Sequence, residues 1–104
     1  MFVYILANPN CRLYVGVTRN LVRRVWEHRN GVIPGFTRRY GMKRLVYFES
    51  FDEPSNAIKR EKQIKDYSRV KKLALVNSQN SKWDDLAEDW FADVCPTDPS
   101  LRSG

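Results

Sequence analysis

The sequence predicts an α/β chain of the α+β kind, a small sheet with helices packed on it, and two observations carry that reading. Three short segments, FVYIL (residues 2–6), RLYVGV (12–17) and RLVYFESF (44–51), have the aromatic and β-branched content and the alternation of strands. The segments between and after them carry apolar residues at helical spacing, most of them opened by a capping residue or a proline. At 104 residues, with 42% apolar and 12% aromatic content, the chain has material for one modest core and is too short for two.

The first two strands are joined through ANPNC, where Asn8, Pro9 and Asn10 are turn formers. Side chains alternate across a strand, so Val3 and Ile5 share one face while Phe2, Tyr4 and Leu6 share the other. In the second strand Leu13, Val15 and Val17 oppose Arg12, Tyr14 and Gly16. Pairing the apolar faces leaves Tyr4 and Tyr14 on a common face, beside a glycine that lets another group approach the backbone closely. Tyrosines are also ordinary strand residues, so the strands alone leave a structural role open.

Asn20 caps a helix predicted over residues 21–29, which stops at Asn30-Gly31. At 100° per residue Leu21, Arg24, Val25 and His28 fall on one side, which puts an arginine and the chain's single histidine on the apolar face. Arg23, Glu27 and Arg29 read as surface residues. An arginine on an inward face needs a buried partner, a rim position from which to snorkel, or a ligand.

Residues 31–43, GVIPGFTRRYGMK, read as a loop, with Arg38, Arg39 and Tyr40 as candidate phosphate contacts and a stacking ring. After the third strand, a helix opens at DEP and runs to about Tyr67, its polar side thick with Lys59, Arg60 and Lys62. Its apolar stripe is Ala57, Ile58 and Ile64, with Glu61 projecting between them. That carboxylate either answers Arg24 as an ion pair or holds a metal ion. A further helix is expected over 68–77, and Trp83, Leu86, Trp90 and Val94 then lie on one stripe of an acidic helix. The domain is thus read as residues 1–83, with an acidic C-terminal helix at 84–94 packed on it and a disordered tail at 95–104.

Charge divides the chain. Residues 1–72 carry 16 Lys or Arg against 6 Asp or Glu, a balance of +10, while residues 73–104 carry 2 against 6, a balance of −4. A domain so basic attracts polyanions, although solvated charge for solubility is the plainer alternative. Two cysteines, Cys11 and Cys95, are too few for a disulfide framework or a metal site, and no apolar run approaches the roughly 18 residues of a membrane span. The start of the chain lacks the features of a signal peptide, so a soluble, cytoplasmic protein is expected.

The ordered set VYI, YVG, a helix arginine and histidine, and a later helix glutamate resembles the GIY-YIG nuclease superfamily. The run LYVGVTRNLVRRVWEHRNG, followed by FTRRYG, RLVYFESF and REKQIK, is similar to its small stand-alone bacterial members, those likened to the N-terminal nuclease domain of the excision-repair endonuclease (excinuclease). The resemblance covers residues 2–83 and implies a three-stranded antiparallel sheet flanked by helices, with Mg²⁺- or Mn²⁺-dependent cleavage of DNA. Carried over by position, it assigns the motif tyrosines to Tyr4 and Tyr14, the glycine to Gly16, and the catalytic arginine and histidine to Arg24 and His28. The metal-binding glutamate falls on Glu61, and the late asparagine on Asn77 or Asn80. The chain departs from the family in having FVY for GIY, and Val17 where some relatives have a lysine.

Those residue types suit phosphodiester hydrolysis, in which negative charge builds on the phosphate oxygens and catalysis is mainly positioning and charge stabilisation. Arg24 can fork onto phosphate oxygens, and Glu61 can anchor a hard divalent ion alongside water and substrate. A phenol of ordinary pKa, about 10, is a poor base unless nearby cations lower it. With Arg24 and the metal ion expected to do so here, Tyr14, as phenolate or relay, is assigned the water's proton, with Tyr4 ordering that water. His28 either touches phosphate, moves protons near the leaving group, or makes a purely structural hydrogen bond. Arg38, Arg39, Tyr40, Lys59 and Lys62, with Gly16, complete the expected DNA contacts. Specificity is expected to be structural rather than for sequence, with roles in repair or recombination, and a monomer is expected unless a protein partner supplies specificity. Two other classes remain open: a nucleic-acid-binding module without catalysis, and a protein-interaction domain using Trp83 and Trp90.

Overall fold

The strand-forming segments occupy Phe2–Ala7 (β1), Leu13–Thr18 (β2) and Arg44–Ser50 (β3), and the helices occupy Leu21–Arg29 (α1), Pro54–Lys65 (α2) and Arg69–Gln79 (α3). This computed structural model describes residues 1–32, 35, 39, 41–88 and 90. The strands form one antiparallel sheet in the order β2-β1-β3, so the first strand is the central one. Its side chains are buried from Val3 to Ala7, because both sheet faces are covered.

Alternation along β1 assigns the two faces. Val3, Ile5, Ala7 and Val15 point to a core completed by Ala57 and Ile64 of α2 and Val76 of α3. Tyr4 and Leu6 point to a second core with Leu21 and Val25 of α1, Met42, Leu45 and Ala87, flanked by Tyr14 and Trp90. The expected sharing of a face by Tyr4 and Tyr14 therefore holds. In β3 the register shifts opposite Ile5 and Leu6, so Val46 and Tyr47 both belong to the first core while Leu45 serves the second.

Local chemistry fixes the turns and ends. Asn8 Oδ1 accepts from Asn10 N at 3.0 Å and Arg12 N at 2.9 Å, closing the hairpin between β1 and β2. Asn20 caps α1 by accepting from Arg23 N at 3.1 Å, Pro54 opens α2, and Ser68 caps α3 by accepting from Lys71 N at 3.2 Å.

Two sequence expectations change here. Ile58 is not on the buried stripe of α2: it is 40% exposed, whereas Ala57 and Ile64 are fully buried. Arg60, expected among the solvated cations, turns inward and donates to both oxygens of Glu49, to Gln63 Oε1 and to Tyr67 Oη. Tyr47 donates to the same Glu49, and burial together with that carboxylate pushes its phenol up to about 12. A helix face cannot bury both Ile58 and Arg60, and the paired arginine takes the inward place because Glu49 of β3 lies opposite.

The segment read as an acidic helix at 84–94 runs through turns, not a helix, over its described part. Asn80 Nδ2 donates to Val46 O at 3.2 Å and to Asp84 O at 2.7 Å, while its Oδ1 accepts from Asp84 N at 3.0 Å. Asp85 then pairs with Arg29 and accepts from Leu45 N at 3.3 Å, and Leu86 N donates to Leu45 O at 2.8 Å. Those ties to β3 and α1 use the backbone groups that a helix would have satisfied internally. The segment does pack on the domain, through Leu86, Ala87 and Trp90, the last edge-on to Phe48 at 6.2 Å. Residues 91–104, which include the expected tail, lie outside the described residues.

The two isoleucines of α2 separate in a stability measurement. Ile64→Ala is expected to cost about 2–5 kcal/mol in urea unfolding, and Ile58→Ala less than about 1 kcal/mol.

Candidate active site

Antiparallel register places Tyr4 of β1 directly across from Gly16 of β2, and Leu6 across from Tyr14. A Cβ on Gly16 would lie 2.6 Å from Tyr4 Cζ and Oη and 3.0 Å from a ring carbon of Tyr14, so only glycine fits beneath these rings. Tyr4 is 2% exposed and Tyr14 half-buried on the edge strand. Their ring centroids are 6.3 Å apart.

From above, α1 delivers His28, 3% exposed, with its Nε2 at 3.1 Å from Tyr4 Oη. Its ring centre lies 5.9 Å from that of Tyr4 and 5.7 Å from that of Tyr14, so three rings form one cluster. The inward helical position read from the sequence is thus occupied by a histidine bonded to the first tyrosine. Its Nδ1 is buried with no hydrogen-bond partner among the described residues, and neither tautomer relieves it.

Burial disfavours the charged forms of both partners. Tyr4 is held above the ordinary phenol range by burial first and then by neighbouring Tyr14, with Glu27 and Glu61 acting in the same direction and Arg24 against them. His28 is lowered by burial and by Arg24, with Glu27 opposing. Tyr4 therefore keeps its proton, and His28 stays neutral at pH 7. A phenol that keeps its proton is a poor base for a hydrolysis, whereas a neutral imidazole is the form that can accept one.

Arg24, one turn before His28, has a side chain 41% exposed at the rim. Its partner is not Glu61 but Glu27, at 3.7 Å, and Glu27 also meets Arg23 at 3.5 Å. Glu61 projects between the buried Ala57 and Ile64 of α2, is 14% exposed, and receives Lys65 Nζ at 2.7 Å. The ion pair between Arg24 and Glu61 allowed by the sequence is replaced by two local pairs at helical spacing.

Of the other expected contacts, Lys59 and Lys62 are exposed on α2, and Arg39 is exposed with its N–H on Gly35 O at 2.9 Å. Arg38 and Tyr40 lie outside the described residues. Asn80 is the buried brace described above, whereas Asn77 is exposed and accepts from Trp83 Nε1 at 2.6 Å. Glu27 is the residue that sequence reasoning undervalues. Helical periodicity alone puts it on the surface, yet its three- and four-residue spacings to Arg24 and Arg23 are the signal for a bridging position.

No group of three His, Cys, Asp or Glu side chains able to hold a metal occurs among the described residues. A single carboxylate, with water and substrate oxygens, is nevertheless a common ligand set for Mg²⁺. The donor set at Glu61 fits a hard divalent ion anchored by one protein group. No helix among the described residues is long and apolar enough to cross a membrane.

His28 gives the stability a pH dependence of known sign. Its folded pKa lies below the ordinary value of 6.5, so the unfolded chain takes up a proton that the folded one refuses. Its contribution is complete above pH 6.5 and declines as pH falls below that value. Urea midpoints of the unsubstituted protein are expected to drop between about pH 7.5 and about pH 5.5, and less steeply in His28→Gln.

The comparisons agree with this architecture. The sequence model of the family described as "GIY-YIG catalytic domain" matches residues 1–74. A UPF0213 protein of Clostridium perfringens is 42% identical over 81 residues, spanning 78% of this chain and 87% of its own. One of Natronomonas pharaonis is 44% identical over 75 residues, spanning 72% and 88%. The solution NMR structure of the UPF0213 protein of Bacillus halodurans superposes with a TM-score of 0.54 at 32% identity, covering 81% of this chain and 89% of that one. By fold, by ordered motifs and by these relatives, the chain belongs to the GIY-YIG superfamily, beside the UPF0213 proteins it resembles.

Proposed function

We propose that the protein is a divalent-metal-dependent DNA endonuclease that hydrolyses phosphodiester bonds and selects DNA by shape rather than base sequence. One observation carries the reading: the Tyr4, Tyr14 and His28 rings converge over a sterically obligatory Gly16, and Arg24, Glu27 and Glu61 all act on the Tyr4 phenol. A hairpin and helix that merely packed well would place apolar side chains there, not a buried imidazole with an unpaired nitrogen.

Roles divide by exposure and charge. Tyr4 stays protonated and bonds His28 of α1, and from there it would help order the attacking water. Tyr14, half-buried on the edge strand, would accept or relay the proton of the attacking water. Arg24 at the rim forks onto the phosphate and stabilises charge on its oxygens. Glu61 would hold the divalent ion, which when bound neutralises charge developing on the phosphate. The exposed cations of α2, Lys59 and Lys62, with Arg39 and the loop residues Arg38 and Tyr40, would contact the DNA beyond the scissile bond. The basic balance of residues 1–72 supplies affinity without base readout, and roles in repair or recombination suit such shape selection.

In a plasmid-nicking assay with Mg²⁺, Arg24→Ala and Glu61→Gln are each expected to reduce cleavage by at least about a hundredfold. Their melting temperatures should stay within a few degrees of the parent. Collapse of the fold in both would instead make these residues structural. Tyr14→Phe is expected to bind DNA with nearly unchanged affinity and to cut it at least about a hundredfold more slowly; cutting at the parental rate would remove Tyr14 from the proton path.

A further inference from the structure

Beside the catalytic cluster, the N-terminal half of α1 borders an open cleft of about 480 Å³ lined by Val17, Thr18, Arg19, Asn20, Arg23, Arg24 and Glu27, with Met1 at its edge. Three arginines face one carboxylate there. Glu27 comes closest to Arg23 and Arg24 at their Nε atoms, at 3.5 and 3.7 Å, long contacts that fall short of a bidentate guanidinium–carboxylate pair. Arg23 is 75% exposed at its side chain and Arg19 is exposed, so neither is held by burial. The polar wall is already internally satisfied, since Asn20 Oδ1 caps α1 and Thr18 Oγ1 bonds the Asn20 backbone. What remains unanswered in the cleft is positive charge.

We infer that this cleft is a phosphate-binding track that leads a DNA backbone into the catalytic cluster, with Arg19 and Arg23 holding phosphates next to the one on Arg24 and Glu27 as the anion they exchange. The inference rests on the nuclease reading for what Arg24 does and adds residues outside that machinery. A guanidinium prefers a bidentate oxyanion to a single long Nε contact, so an arriving phosphate displaces Glu27 from both arginines. Glu27 meanwhile keeps two like charges in place on consecutive residues while no DNA is bound. It sits one residue before His28, so the exchange also removes a negative charge from beside the Tyr4 and His28 pair.

The test is DNA binding in chelator, read by fluorescence anisotropy on labelled duplex and single-stranded oligonucleotides across a salt series. For Arg19→Ala with Arg23→Ala the slope of log Kd against log salt is expected to become shallower by about 2, one unit per phosphate contact. Glu27→Gln is expected to lower Kd about two- to fivefold, the range of a lost exposed ion pair. Lys71→Ala, on α3 across the sheet, serves as the control and should leave the slope at the parental value. A slope change below about 1 in the double variant, or weaker binding by Glu27→Gln, overturns the track while the parent's own binding and cleavage leave the nuclease reading standing. A parent that shows no salt-dependent binding removes both.

Discussion

The contact between Tyr4 and His28 is the constraint on which the rest of the structure depends. Tyr4 is on the central strand, across from a glycine whose missing side chain makes room for its ring, and its hydroxyl meets an imidazole carried by α1. That hydrogen bond, with the packing of Leu21 and Val25, seats the helix over the sheet with Arg24 at the rim. Burial favours the neutral form of each, so Tyr4 keeps its proton and His28 is an uncharged imidazole near pH 7.

Charge is arranged in two tiers around that apolar pivot. Pairs inside single helices, Arg24 with Glu27 and Lys65 with Glu61, hold the functional groups in place without committing them across elements. Both pairs join residues three or four apart on one helix, where such contacts contribute on the order of 0.2–0.5 kcal/mol each. The pairs that bridge elements, Arg60 with Glu49 and Arg29 with Asp85, have side chains only about a quarter exposed and serve the fold.

How much is legible in the sequence follows from which forces are local. The strands, the Asn20 cap, the placement of Tyr4 and Tyr14 on one face and the inward turn of His28 all follow from periodicity and capping, which act within a few residues, whereas Arg24 stops at the rim. The exchange of Ile58 for Arg60 on the inner side of α2 is not legible, because it depends on Glu49 arriving from β3. The same holds for residues 84–88, whose helical pattern loses to Asn80 and Asp85 capturing the backbone of β3 and of the segment itself. The tie between Tyr4 and His28 lies between these cases: the residue types and faces can be read, and the hydrogen bond needs the fold.

The most direct test of the central claim is incubation of the purified protein with supercoiled, branched and single-stranded DNA, with Mg²⁺ in one arm and chelator in the other. The arrangement of Tyr14, Arg24 and Glu61 predicts backbone breaks in the Mg²⁺ arm only, with rates that differ among the DNA shapes. Salt-dependent binding to the same DNA with no breaks in either arm would contradict it and leave a nucleic-acid-binding module on a nuclease fold.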